Sequence, residues 1–175
     1  MPDYVSEDGV DPDRGTETWA EVVLRIDTPR WRETRVVLRA GKALAQRRKG
    51  VLVRFRPVEG ATDDPDDEDA RERLWIDVDG PDDIDLGLIG RTLGPPERSA
   101  PLGLSGPPPP ARGSPYAYVL AELLSGGSRL AVRADEAEES WRVLDPVVAS
   151  WRRGEVSLGE YRAGSDGPPP LRVAR

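Results

Sequence analysis

Eight Lys and Arg residues fall between Arg35 and Arg56, with no Asp or Glu among them. The stretch from Arg39 to Arg56 reads as a strand entry, a turn at Gly41-Lys42, a basic loop and a second strand. The whole chain carries a net charge of −7. The stretch is therefore a local positive site on a negative body. Of 25 basic residues 23 are Arg, so Lys42 and Lys49 stand out as the only lysines.

Composition removes several other chemistries. The 175 residues contain no Cys, which excludes disulfides and thiolate metal sites, and no His, the commonest general base and metal ligand. The acidic run Asp63–Asp69 lacks the glycine and spaced ligands of a calcium loop. Asp77 and Asp79 share a strand face, but nothing marks a cleft around them. Net negative charge opposes binding to nucleic acid or an anionic membrane, although residues 35–56 alone would suit a basic-patch nucleic-acid binder. No apolar run approaches the ~20 residues of a membrane span. The opening Met1-Pro-Asp-Tyr4 is not a signal peptide, so a cytoplasmic location is expected.

The positioning elements follow from hydropathy patterning. Residues 1–15 are expected to be a flexible, polar lead-in. A strand is expected over Thr16–Ile26, where Val22, Leu24 and Ile26 alternate with Val23 and Arg25. A turn at Asp27–Arg30 and a short strand over Arg35–Arg39 follow. Beyond the basic loop, Val51, Val53 and Phe55 face one way, and Leu52, Arg54 and Arg56 the other. Residues 59–85 hold thirteen acids against two Arg, mostly in a loop before strands over Leu74–Asp79 and Ile84–Ile89. The Pro/Gly-rich stretch 94–114, including Pro107–Pro110, is expected to be a stiff connection without secondary structure.

The last third reads as helical. Ser114 and Pro115 open a helix whose apolar face is Tyr116, Val119, Leu120 and Leu123, closed by Gly126. A short strand is expected over Arg129–Arg133. Asp135 is then the expected cap of a second helix, with Glu138 completing a capping box. Ala137, Trp141, Leu144, Val148 and Trp151 form its buried stripe, and Pro146 should kink or divide it. The fold class is α+β, a mostly antiparallel sheet with helices packed on one face. Residues 16–168 make one domain, with loop 94–114 inside it and 169–175 as a tail.

Several of these segments together resemble the C-terminal domain of glucose-6-phosphate dehydrogenase. They are Thr16–Trp19, Ile26-Asp27 with Arg30-Trp31, Leu38–Leu44 with Arg47, Pro115-Tyr116, Val132–Glu136, Trp141-Arg142, Asp145-Pro146, and Tyr161 with Gly164-Ser165 and Gly167-Pro168. Their order and spacing follow the family from about residue 9 to 168. The Gly-Lys-Ala-Leu segment in register with Val-Arg-Ala-Asp-Glu is the specific part. The resemblance implies that Lys42 and Arg47 contact the phosphate of glucose 6-phosphate, a dianion suited to a Lys point charge and an Arg fork. It also implies a second NADP contact at Arg48 and Tyr161. Leu52, Asp77, Asp79 and Asp166 depart from the family pattern, and each acid near an anion adds on the order of 1 kcal/mol of repulsion.

The family's coenzyme domain, with its Gly-rich phosphate loop, and its catalytic His have no counterpart in these residues. Two readings follow. One is an enzyme part that holds the sugar phosphate, with no catalytic residue of its own, and works with a separate coenzyme-binding domain. The other is a non-catalytic descendant that forms a homodimer through its sheet.

Overall fold

In the computed structural model, residues 4–57, 71–78, 84–94, 99–107 and 113–169 are described. The acidic loop 59–70, the turn at residues 80–83 and Pro108–Pro110 lie outside them. The chain divides into two compact units, Met1–Arg47 with Val132–Arg175, and Arg48–Ala131.

The first unit holds strands β1 (Trp19–Arg25) and β2 (Arg35–Gly41), which pair antiparallel, and the long helix α2 (Ala134–Arg152). The alternation expected over residues 16–26 survives as β1. Its Ala20 and Val22, with Leu38 and Ala40 of β2, face Leu144, Val147, Val148 and Trp151 of α2 across an apolar crevice of about 230 Å³. On the other β-face, Glu21 and Arg39 are cross-strand partners. The Arg39 Nε donates to Glu21 Oε2 at 2.8 Å, and the Glu21 side chain is only 4% exposed. Arg39→Met should therefore cost about 1–3 kcal/mol, because a carboxylate that is almost fully buried loses its charge-assisted hydrogen bond to the guanidinium. Chemical denaturation of the variant checks this; stability equal to wild type would remove the pair from the account.

Helix α2 corrects two expectations, the cap and the burial of the stripe. Its box is set two residues early: Arg133 is the cap residue, and its backbone N–H donates to the Glu136 carboxylate at 3.0 Å. Asp135 is spent on the Arg133 guanidinium, at 2.9 and 2.6 Å. Pro146 lies inside the helix and does not divide it into two elements. The stripe is buried only in part, for Trp141 is 64% exposed. Two seven-residue strands cover the C-terminal half of this 19-residue helix and leave Trp141 beyond their reach. Exposed ion pairs finish the helix: the Arg142 guanidinium holds the Glu139 carboxyl below the usual carboxylate range.

The second unit holds an antiparallel four-stranded sheet in the order β3 (Gly50–Arg54), β4 (Arg73–Asp77), β5 (Ile84–Arg91) and β6 (Ser99–Gly106), then helix α1 (Pro115–Leu124). Strand β6 corrects the expectation of an unstructured connection over residues 94–114. Its Leu102 and Leu104 alternate with Gly103 and Ser105, and pair with Leu88 and Leu86. Proline and glycine density hides that alternation. Pro101 is tolerated because β6 is the last strand of the sheet, where a missing N–H need not break the ladder.

The register puts Val51, Val53, Leu74, Ile76, Ile84, Leu86, Leu88, Leu102 and Leu104 on one face of this sheet. Five of them remain exposed, from Val53 at 37% to Leu104 at 54%. The other face carries Leu52, Arg54, Arg73, Trp75, Asp77 and Asp85, the wet basic face expected for the third strand, joined by acids.

Helix α1 starts as its sequence requires: the Ser114 side chain accepts the Ala117 N–H at 3.2 Å, with Pro115 in the first position. Its expected apolar face stays largely open, with Tyr116 81% and Leu120 58% exposed. Arg129–Arg133 is a turn rather than a strand. Here Arg129 gives its backbone and guanidinium N–H groups to the Glu122 carboxylate, each at 3.4 Å, which draws the chain back onto α1 instead of along a strand edge.

Candidate anion-binding turn

Lys42 follows the end of β2, in the turn that leads to the basic loop. Its backbone is unusually well fixed. The Lys42 N–H donates to the Thr18 carbonyl at 2.8 Å. The Lys42 carbonyl accepts the Tyr161 hydroxyl at 2.8 Å. One residue on, the Ala43 carbonyl accepts from Gly164 N–H at 2.7 Å, and Ala45 N–H donates to the Ser165 carbonyl at 2.9 Å. Segment 161–167 thus grips the turn from 41 to 45 at three points, and the chain ahead of β1 grips it at a fourth.

The grip holds a backbone that would not hold itself. Ala43 has φ of +49°, a left-handed conformation that costs a residue with a Cβ about 1 kcal/mol or more. Among the described residues it is the one non-glycine with positive φ.

Trp19 supports the same turn from beneath. An added Cβ at Gly41 would lie 2.5 Å from Trp19 Cε3, and one at Gly167 would lie 2.7 Å from Trp19 Cζ3. The six-membered ring of the indole therefore lies close against two glycine backbones. Its ring stands 6.1 Å from that of Tyr161, tilted by 59°. Gly167 also has φ of +89°, so glycine is required there twice over.

The side chains presented are cationic. Lys42 and Arg47 are exposed, lie in the same compact unit and are five residues apart along one loop. Lys42 makes no ion pair among the described residues. Arg48 falls in the other unit, where its guanidinium stacks over the Trp75 ring at 4.4 Å from the centroid. Tyr161 is half-buried, and its single proton is shared between the Thr18 and Lys42 carbonyls at 3.0 and 2.8 Å. It has no proton left to offer a nucleotide phosphate. No group of acidic residues among those described could hold a metal ion. None of the described helices is long and apolar enough to cross a membrane.

Trp19 and Thr18 were missed as site residues in the sequence reading. Their signal was there, since the segments Thr16–Trp19 and Gly164–Pro168 both carry the resemblance. Only folding shows that they meet at Lys42.

An antiparallel α+β chain with a clasped, cationic Gly-Lys turn is the class defined by these features. The family model described as glucose-6-phosphate dehydrogenase, C-terminal domain, matches residues 1–173. The chain belongs to that family. It is 31% identical to the glucose-6-phosphate 1-dehydrogenase of Treponema pallidum over 96% of its own length and 34% of that protein's. The enzyme of Mycolicibacterium smegmatis is also 31% identical, over 93% and 34%. A solved glucose-6-phosphate dehydrogenase in complex with its substrate glucose-6-phosphate superposes with a TM-score of 0.74, at 22% identity, over 95% of this chain and 35% of that one. The Mycobacterium avium enzyme gives 0.67 at 28% identity. The chain thus spans about a third of the length of the curated relatives it matches.

Proposed function

We propose that these residues supply the sugar-phosphate-binding share of a glucose-6-phosphate dehydrogenase, with Lys42 and Arg47 as the phosphate contacts. The observation that carries this reading is the turn itself: a strained, four-point-fixed backbone that presents an exposed lysine, without an ion pair among the described residues, in an Arg-rich loop. Backbone strain is kept where a surrounding structure over-determines it, and a ligand site is a reason to keep it. A fixed Lys and a forked Arg meet a phosphate dianion without a large ordering cost.

Hydride transfer needs more than this. The sequence has no His to take the sugar hydroxyl proton and no Gly-rich loop to cradle a dinucleotide, so these residues do not supply those parts. Of the two residues expected at a second NADP, Arg48 has donors for a phosphate and Tyr161 does not. No step of the reading passes through the coenzyme. The test is calorimetric titration of the chain with glucose 6-phosphate, with Lys42→Ala as control. Saturable heat lost in the variant supports the reading; no heat at millimolar ligand overturns it.

The aliphatic sheet face supports a second role, self-association. A face of nine aliphatic side chains, five of them exposed, is the kind of contiguous apolar surface that marks an interaction site. A second copy placing the same face against it would form a closed homodimer. Leu104→Glu, on the exposed part of this face in β6, should convert a dimer to a monomer in sedimentation velocity. A wild-type chain that sediments as a monomer at tens of micromolar would end this reading.

A further inference from the structure

We infer that Tyr161 is a positioning residue for the phosphate site, acting through the main chain of Lys42. The inference rests on the reading of Lys42 as a phosphate ligand and adds to it what sets the lysine's geometry. Residue 42 is joined to distant parts of the chain at both its amide and its carbonyl. Its N–H is tied to Thr18, and its C=O to the Tyr161 hydroxyl. That hydroxyl reaches the Thr18 carbonyl as well, at 3.0 Å. A single proton therefore bridges the carbonyl that receives the Lys42 amide and the carbonyl of Lys42 itself. It locks the two peptide planes on either side of the lysine Cα.

The geometry makes the lock consequential. The next residue, Ala43, stands at φ of +49° and relaxes toward ordinary values when released. Relaxation there turns the Lys42 carbonyl, so the ammonium on its four-carbon stem loses its fixed backbone placement. The Gly164 and Ser165 contacts hold the Ala43 carbonyl and the Ala45 amide, and Thr18 holds the Lys42 amide, which leaves the Lys42 carbonyl to Tyr161. Tyr161 is far from the lysine in sequence and its hydroxyl touches no ligand-facing atom. Its chemistry is spent on backbone, unlike that of a residue that binds the substrate.

The test compares wild type, Tyr161→Phe and Lys42→Ala, each titrated with glucose 6-phosphate and with inorganic phosphate well below the melting temperature. Amide hydrogen exchange is followed in parallel at Lys42, Ala45 and Gly164. Phenylalanine keeps the ring against Trp19 and removes the shared proton. Tyr161→Phe should weaken glucose 6-phosphate binding about tenfold, the loss expected from about one hydrogen bond's worth of misplacement. It should also speed exchange at Lys42 while the β1–β2 ladder stays protected. A purely structural tyrosine would lower the melting temperature and leave affinity unchanged in the folded protein. Unchanged affinity in Tyr161→Phe beside a loss in Lys42→Ala overturns the positioning role alone. Wild-type binding in Lys42→Ala, or no wild-type binding at all, overturns the site reading and this inference with it.

Discussion

Replacing Gly167 by alanine destabilises the β1–β2–α2 unit by about 2–4 kcal/mol. Two costs add. The backbone at φ of +89° is one that residues with a Cβ rarely adopt. The new methyl would also stand 2.7, 3.0 and 3.1 Å from three carbons of the Trp19 indole. The ring cannot yield easily, because its edge also lies against Gly41, where an added Cβ would be 2.5 Å away. Gly164→Ala is the natural control. It has φ of +78° in the same segment, but nothing lies within 4 Å of the added Cβ. It should bear the backbone cost of about 1 kcal/mol and little else. The difference between the two variants in urea denaturation, followed by near-ultraviolet circular dichroism of the tryptophans, isolates the steric part. Equal stabilities would mean that the indole does not bear on Gly167.

The second large effect is on ligand affinity. Lys42→Ala should weaken glucose 6-phosphate binding by about 10- to 100-fold, since a charge-assisted bond to a phosphate oxygen is worth roughly 1.5–3 kcal/mol. Arg47→Lys keeps the charge and loses the two-pronged geometry, so it should lose less than Lys42→Ala and more than nothing. Both losses should shrink as salt rises, because the lysine and arginine are exposed and screened. The titrations are read at 20 mM and 200 mM salt. An affinity that ignores Lys42 at both concentrations would place any bound sugar phosphate elsewhere on the chain.

Some of this was legible in the linear chain because it depends on neighbours in sequence. Alternation set β1 and the two faces of β3. Ser114 followed by Pro115 set the start of α1, and the absence of His and Cys set limits on chemistry. The uninterrupted basic stretch around Lys42 singled out the candidate anion site from the residues alone. Other features needed the third dimension. Strand β6 lay hidden under its prolines and glycines until the exposed edge of β5 gave it a partner. Trp141 keeps helical rhythm with Leu144 and Val148, yet it is exposed, because periodicity fixes a side of the helix and says nothing about how far the covering strands extend.

The sequence by itself determined which charges this protein could bring to an anion and which catalytic groups it could not. Those depend on residue identity alone. Only the tertiary structure decided that Thr18 and Trp19 close on Lys42 together with Tyr161, which lies more than a hundred residues from all three. Hydrogen bonds of a backbone in a left-handed turn are set by which distant carbonyls and hydroxyls arrive there, and that arrival follows from packing the indole against Gly41 and Gly167.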